Sequence, residues 1–229
     1  MSDADPAGAR QHSVLRAVLA VVIAVGLLLA GGRLAVALGI GRTDPPASDS
    51  VDAGFARDMT RHHLQAVEMA NLALERSEDP EVEQLAFDIS STQTNQAGRM
   101  QGWLSLWGLP RTDGAVMAWM DGATAGAMDG AMDHSAHGGT DGPLMPGMAT
   151  EAELAELRGL SGTAFDVRFL QLMIRHHQGG LAMAEYGRDH AAVPAVARLA
   201  GSIAETQDAE TTTMETMLRE RGGAPLPAT

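Results

Sequence analysis

The chain has 229 residues, a net charge of −13 and no cysteine. Missing thiols exclude disulfides, thiolate metal sites, cysteine nucleophiles and a cysteine-linked lipid anchor. The acidic balance disfavours nucleic acid as a partner and concentrates cations near the surface. Hydrophobic residues make up 45% of the chain but aromatics only 3%, so the core must be built from Ala, Leu, Val, Ile and Met, a composition that favours close-packed helices over a sheet.

Residues 1–16 are polar, contain Arg10 and Arg16, and read as a cytoplasmic N-terminus. Residues 17–41 are apolar apart from Arg33, and about 20 such residues suffice to span a bilayer. This run reads as a transmembrane signal-anchor, with Arg33 free to snorkel to the interface. Ala35-Val36-Ala37 also resembles a signal-peptidase site, so secretion after cleavage near Ala37 is the alternative. Arginines before the run and Asp44, Asp49 and Asp52 after it orient the body outward in either case. The expected location is the cell membrane, crossed once, with the bulk of the chain extracytoplasmic.

After a short linker at 42–51, a first helical hairpin is expected over 52–108. Its helices run from about Asp52 to Arg76 and from Pro80 to Trp107, with Pro80 at a first-turn position and Gly108-Leu109-Pro110 as the stop. Residues 109–150 have little periodicity and are rich in Gly, Ala, Asp and Met. Thr150-Glu151-Ala152-Glu153 reads as a capping box for a short helix through Arg158. A second hairpin then covers 151–222, with long helices over 163–188 and 194–221, and a tail of 223–229.

The two hairpins are copies. Asp58–Ala70 and Leu172–Ala184, displaced by 114 residues, share six of 13 positions, including both histidines and both methionines. The match resumes at Pro80/Pro194 and continues to Gly108/Gly222. A helical hairpin cannot bury its apolar face alone. The expected fold is therefore all-α: a ferritin-like four-helix bundle of two tandem hairpins with one long connection, preceded by the N-terminal transmembrane helix.

Two groups of residues carry the chemistry. His62, His63, His176 and His177 fall near the middle of their helices, where two-fold packing would bring four imidazoles to similar depth. The plain alternative makes them core histidines hydrogen-bonded to Gln93, Gln207 or each other. Met59 and Met173 flank the pairs; core packing explains them better than ligation does, and as thioethers they stay on the list of candidate ligands. The connection supplies Met117, Met120, Met128, Met132, His134, His137, Met145 and Met148 within 32 residues. Thioethers suit Cu(I), and imidazoles widen the range to Cu(II). These methionines are read as exposed on a solvated loop, where oxidation makes them costly. No Glu-x-x-His occurs and the acids are not symmetric between copies, which argues against a di-iron carboxylate oxidase.

Met145-Pro146-Gly147-Met148, Glu153-Leu154, Gly162-x-x-Phe165-Asp166-x-x-Phe169-Leu170, Met173-Ile174-x-His176-His177-x-Gly179 and Met183-Ala184 resemble a bacterial family known as domain of unknown function 305. Asp58-Met59-x-x-His62-His63 and Trp103-Leu104-x-x-Trp107-Gly108 fit the same pattern, over about residues 50–222. The resemblance implies an exported ferritin-like bundle. Some members are periplasmic copper-binding proteins, while most have no assigned activity. The family usually has Gly-Ala in place of Gly179-Gly180, and Glu where this chain has Gln96. The reading that follows is a membrane-tethered, extracytoplasmic protein that binds a metal ion, copper above others, for buffering or resistance. A metal-free interaction module of the envelope and, less well supported, a metal-dependent redox enzyme are the competing readings.

Overall fold

The computed structural model describes residues 6–37, 44–120 and 143–227. The described residues form six α-helices and no strand: α1 (Pro6–Ala37), α2 (Val51–Arg76), α3 (Pro80–Trp107), α4 (Glu151–Gly159), α5 (Gly162–His190) and α6 (Pro194–Glu220), with a 3-10 turn at Ala118–Met120. The chain divides into two compact units, residues 1–45 and 46–229. In the first, Val18–Ala35 of α1 has a mean hydropathy of 2.3, and the helix is long and apolar enough to cross a membrane.

The second unit is a bundle of four long helices, and their ends fall within two residues of the positions expected. Local chemistry explains where they stop. Ser50 and Asp79 cap α2 and α3 by accepting from the backbone N–H of Ala53 and Glu81. Gly108 closes α3 in the left-handed conformation, at φ 68°. Thr150 and Glu153 form the reciprocal capping box of α4.

Helices α2 and α5 run antiparallel through the centre. At one end Phe55 lies against Gly187, and Asp52 accepts from the backbone N–H groups of Ala192 and Val193. At the other, Ser77 donates to Asp166. Asp52 and Asp166 occupy matching positions of the two copies, as do Phe55 and Phe169, so each copy uses the same acid to grip the other's inter-helix turn.

The core is consequently two apolar clusters related by the duplication. Met69, Met173 and Met214 lie in one; their counterparts Met183, Met59 and Met100 lie in the other. Between them sits a polar layer, fully inside the bundle, made of the histidine pairs and Gln93 and Gln207.

The two ends of the long connection are fastened to the bundle. Trp119 covers Gly54, where any Cβ would come within 2.5 Å of its side chain. Asp58 holds this segment by accepting from the backbone N–H of Met117 at 2.8 Å and the indole N–H of Trp119 at 2.9 Å. Met120, Met145 and Met148 are buried in the apolar cluster that contains Met59, and Met117 is half-buried. The expectation of exposed methionines is thus corrected for Met120, Met145 and Met148. In that cluster they pack with Phe55 and Trp119, as flexible thioethers adapt to an irregular core. Met128, Met132, His134 and His137 lie outside the described residues.

Candidate metal centre

His62, His63, His176 and His177 all have zero solvent exposure. They reach the interior because α2 and α5 each place a His-His pair at mid-helix, and consecutive residues about 100° apart on a helix cannot face the same way. One histidine of each pair therefore points at the other hairpin, and the second points sideways at its own. The inner pair meets: the rings of His62 and His176 have centroids 3.8 Å apart at 37°. The outer pair diverges. His63 Nε2 lies 2.7 Å from Gln96 Oε1 on α3, and His177 Nε2 lies 2.8 Å from Glu210 Oε2 on α6.

These partners correct the sequence-based assignment. Gln93 and Gln207 do not hold the histidines; Gln96 and Glu210, one turn further along, do. Their positions match across the 114-residue offset, which was the available signal. Helical spacing alone does not settle which of two polar residues three apart turns toward a neighbouring helix.

A strap formed by Met145–Ala149 lies over the inner pair. Pro146 O is 3.2 Å from His62 Nε2, so that nitrogen carries the hydrogen. Gln65 pairs with both backbone groups of Ala149, at 2.9 and 2.7 Å. Arg175, held by two bonds to Glu153, also reaches the Met148 carbonyl. Backbone touches backbone here: a Cβ on Gly179 would lie 2.1 Å from Pro146 O, and one on Gly147, at φ 75°, 2.3 Å from Arg175 O. Gly179 serves this strap, whereas Gly180 faces the Gln207 amide and the His62 ring. Gln65, Pro146 and Arg175 escaped sequence reasoning because their roles depend on the path of an aperiodic loop.

Burial sets the electrostatics. Desolvation lowers His62 to about 4 against the hydrogen bond to Pro146, with a smaller contribution from His177. Desolvation, reinforced by His62, lowers His63 to about 3. His176 is held well below the usual range by burial and then by its histidine neighbours. Neutral imidazoles expose lone pairs, the form a metal requires. Much of this layer has no protein partner: His62 Nδ1, His63 Nδ1, both ring nitrogens of His176, Gln93 Oε1 and both amide atoms of Gln207.

Among the described residues, no three His, Asp or Glu side chains converge as a ready-made metal cluster. The donor set is an imidazole layer bordered by thioethers, with Met59 and Met173 packed in the clusters on either side.

The sequence profile of the domain of unknown function (DUF305) matches residues 52–218. The chain belongs to this family. No curated protein matches it. Among solved structures, a DUF305 protein from Streptomyces coelicolor, described as secreted, is 42% identical over 79% of this chain and 99% of its own, with a TM-score of 0.68. A DUF305 fragment from Deinococcus radiodurans is 35% identical over 77% and 99%, TM-score 0.59. CopM in its Cu(I)-bound form is 26% identical over 75% and 98%, TM-score 0.55; it was also solved bound to Cu(II). The likeness of all three extends over at least three quarters of this chain.

Proposed function

We propose that this DUF305 protein is an extracytoplasmic metal-binding protein that takes copper as cargo, for buffering or resistance, with α1 as a membrane tether. The observation that carries the reading is the buried, unpartnered polar layer. Each unsatisfied buried donor or acceptor costs about 1–3 kcal/mol, and native folds rarely accumulate several side by side. An ion accepting imidazole lone pairs would remove part of that cost.

The residues present fit such an ion. Neutral imidazoles suit copper in both oxidation states, and neighbouring thioethers favour Cu(I). A hard cation would demand oxygen ligands, which this layer offers only through amides and the partly buried Glu210. His62, His63, His176 and His177, with Met59 and Met173, are the bundle candidates. Met117, Met128, Met132, His134 and His137 form a second, softer set along the connection, suited to capturing Cu(I), with Met120, Met145 and Met148 buried behind it as further thioethers. The copper-bound forms of CopM support the choice of metal.

The test is competition with a chelator. The bundle body, residues 46–229, is titrated with Cu(I), Cu(II) and Zn(II), beside a variant with all four paired histidines changed to Gln and a second lacking residues 121–142. The reading expects Cu(I) to bind the parent and at least one variant to lose stoichiometry. It fails if both variants retain the parent's copper.

A further inference from the structure

The bundle is polarised along its length, and the polarity lies in how its two copies differ. The turn between α2 and α3 and the start of α3 read Ser77-Glu78-Asp79-Pro80-Glu81-Val82-Glu83, with Asp79 and Glu81 engaged by Arg221. The matching residues of the second copy, at the opposite end of the bundle, read Ala191-Ala192-Val193-Pro194-Ala195-Val196-Ala197. Every acid of the first turn is replaced there by Ala or Val. Asp52, in the first turn of α2, holds this apolar turn by its backbone. The end with the uncharged turn is therefore the end at which the chain enters the bundle.

The same end carries an apolar, aromatic face on the last two turns of α3. Leu106 is 82% exposed, more than any other large apolar side chain among the described residues. Beside it at helical spacing stand the half-buried Trp103 and Trp107, stacked with centroids 6.3 Å apart at 20°. The Arg99 guanidinium lies 5.8 Å from the Trp103 ring. Residues 89–112 contain Arg99 and Arg111 but no Asp or Glu, the longest acid-free run after α1 in this acidic chain. Acids close by are mostly engaged: Asp113 accepts from Ser48 and lies 3.9 Å from Arg57, and Asp189 pairs with Arg188. Asp44 and Asp49 are exposed on the segment that enters the bundle.

This face is fixed close to where the chain arrives. Arg57 donates to the carbonyls of both Ser48 and Pro110, at 2.7 and 3.0 Å, so the segment leading into α2 and the segment leaving α3 meet on one guanidinium. Only residues 42–47 separate the apolar run ending at Gly41 from Ser48, a reach of at most about 25 Å at roughly 3.5 Å per residue. The acidic turn lies a further 26-residue helix away, about 39 Å. We propose that the last two turns of α3, with Trp103, Leu106 and Trp107, rest on the lipid surface of the membrane that α1 crosses. This rests on the reading of α1 as a tether. Indoles favour the level of the headgroups, where the ring is apolar and the N–H stays wet. Arg99 and Arg111 can reach lipid phosphates while their stems cover apolar surface. The short tether selects lipid over a second copy of the chain, because it keeps this face near the bilayer at any protein concentration. A bundle seated this way turns its acidic end to solvent.

The experiment reads tryptophan fluorescence of the full chain in lipid nanodiscs, one chain per disc, made with plain lipid or with lipid brominated near the headgroup. In brominated discs the emission is expected to fall by roughly half, since two of the three indoles would sit at headgroup level. A Trp103→Phe/Trp107→Phe variant retains Trp119, which is 8% exposed and bonded to Asp58, and should be quenched little. Leu106→Asp should restore most of the emission without changing the melting temperature, because that side chain touches little of the fold. Equal emission in the two lipids, with the chain still bound to its disc, overturns the docking and leaves the tether in place. A chain that does not elute with the disc overturns the tether reading and this inference with it. Indoles shielded from a soluble quencher only in discs holding two chains, and not quenched by bromine, assign the face to a second copy and overturn the proposal.

Discussion

Replacing Gly179 by alanine tests whether the strap over the histidines is held by backbone contact. The new Cβ would lie 2.1 Å from Pro146 O and 2.4 Å from its carbonyl carbon. Ordinary contact begins near 3.4 Å, so the strap must retreat by about 1.3 Å. A retreat of that size breaks the His62–Pro146 hydrogen bond and strains the Gln65–Ala149 pair, and each buried bond contributes about 1 kcal/mol. Opposing this, alanine gains about 1 kcal/mol over glycine inside a helix. The net expectation is a loss of about 1–2 kcal/mol, or a fall in melting temperature of roughly 2–8 °C for a domain this size. Gly98 and Gly102 are the controls, since a Cβ at either meets nothing within 4 Å; alanine there should raise the melting temperature by about 2–4 °C. Gly180→Ala should be mild, because its nearest neighbours are the movable Gln207 amide and the His62 ring edge. Thermal melts of the four variants decide it. A Gly179→Ala protein as stable as the Gly98→Ala control refutes the close-contact argument.

The histidine layer predicts an acid-labile bundle. His62 and His63 fall from 6.5 unfolded to about 4 and about 3 in the fold, so the folded state binds fewer protons and stability drops as pH falls from 6.5 toward 3. Denaturant melts across that range should show it, with a shallower slope for His62→Gln and His63→Gln. Glu153 lies lower still: despite the cost of its burial, hydrogen bonds from Arg175 and the Thr150 backbone depress it from 4.5 to about 2. Its contribution is complete above pH 4.5 and lost on the way to 2, and Glu153→Gln should remove that part of the acid transition. Asp58→Ala leaves the Trp119 indole and the Met117 N–H unpartnered; it should cost about 2–3 kcal/mol and shift Trp119 fluorescence toward that of a solvated indole.

The bundle was legible from the sequence for a specific reason. Two copies of one hairpin, with Pro80 and Pro194 opening corresponding helices and Gly108 closing one, leave little freedom in helix number or order. The depth of the histidines followed from the same symmetry. Their hydrogen bonds did not, because Gln93 and Gln96 lie three apart on α3, about 60° from each other around the helix, and the choice between them depends on how α3 is rotated against α2. The connection was least legible. Met145 and Met148 looked like exposed ligands until Gly147 and Gly179 were seen to let that segment lie against α5, a contact between residues far apart in sequence. Glu210 looked like an acid without a counterpart; opposite His177, its asymmetry becomes the feature that distinguishes the two copies.

The central claim, that the buried imidazole layer is where metal is held, is tested most directly by X-ray absorption at the copper edge on the Cu(I)-loaded bundle. The account predicts imidazole-type nitrogen scattering, diminished in His62→Gln and in His176→Gln. Scattering from sulfur alone, unchanged in both variants, would contradict it and place the metal on the methionines.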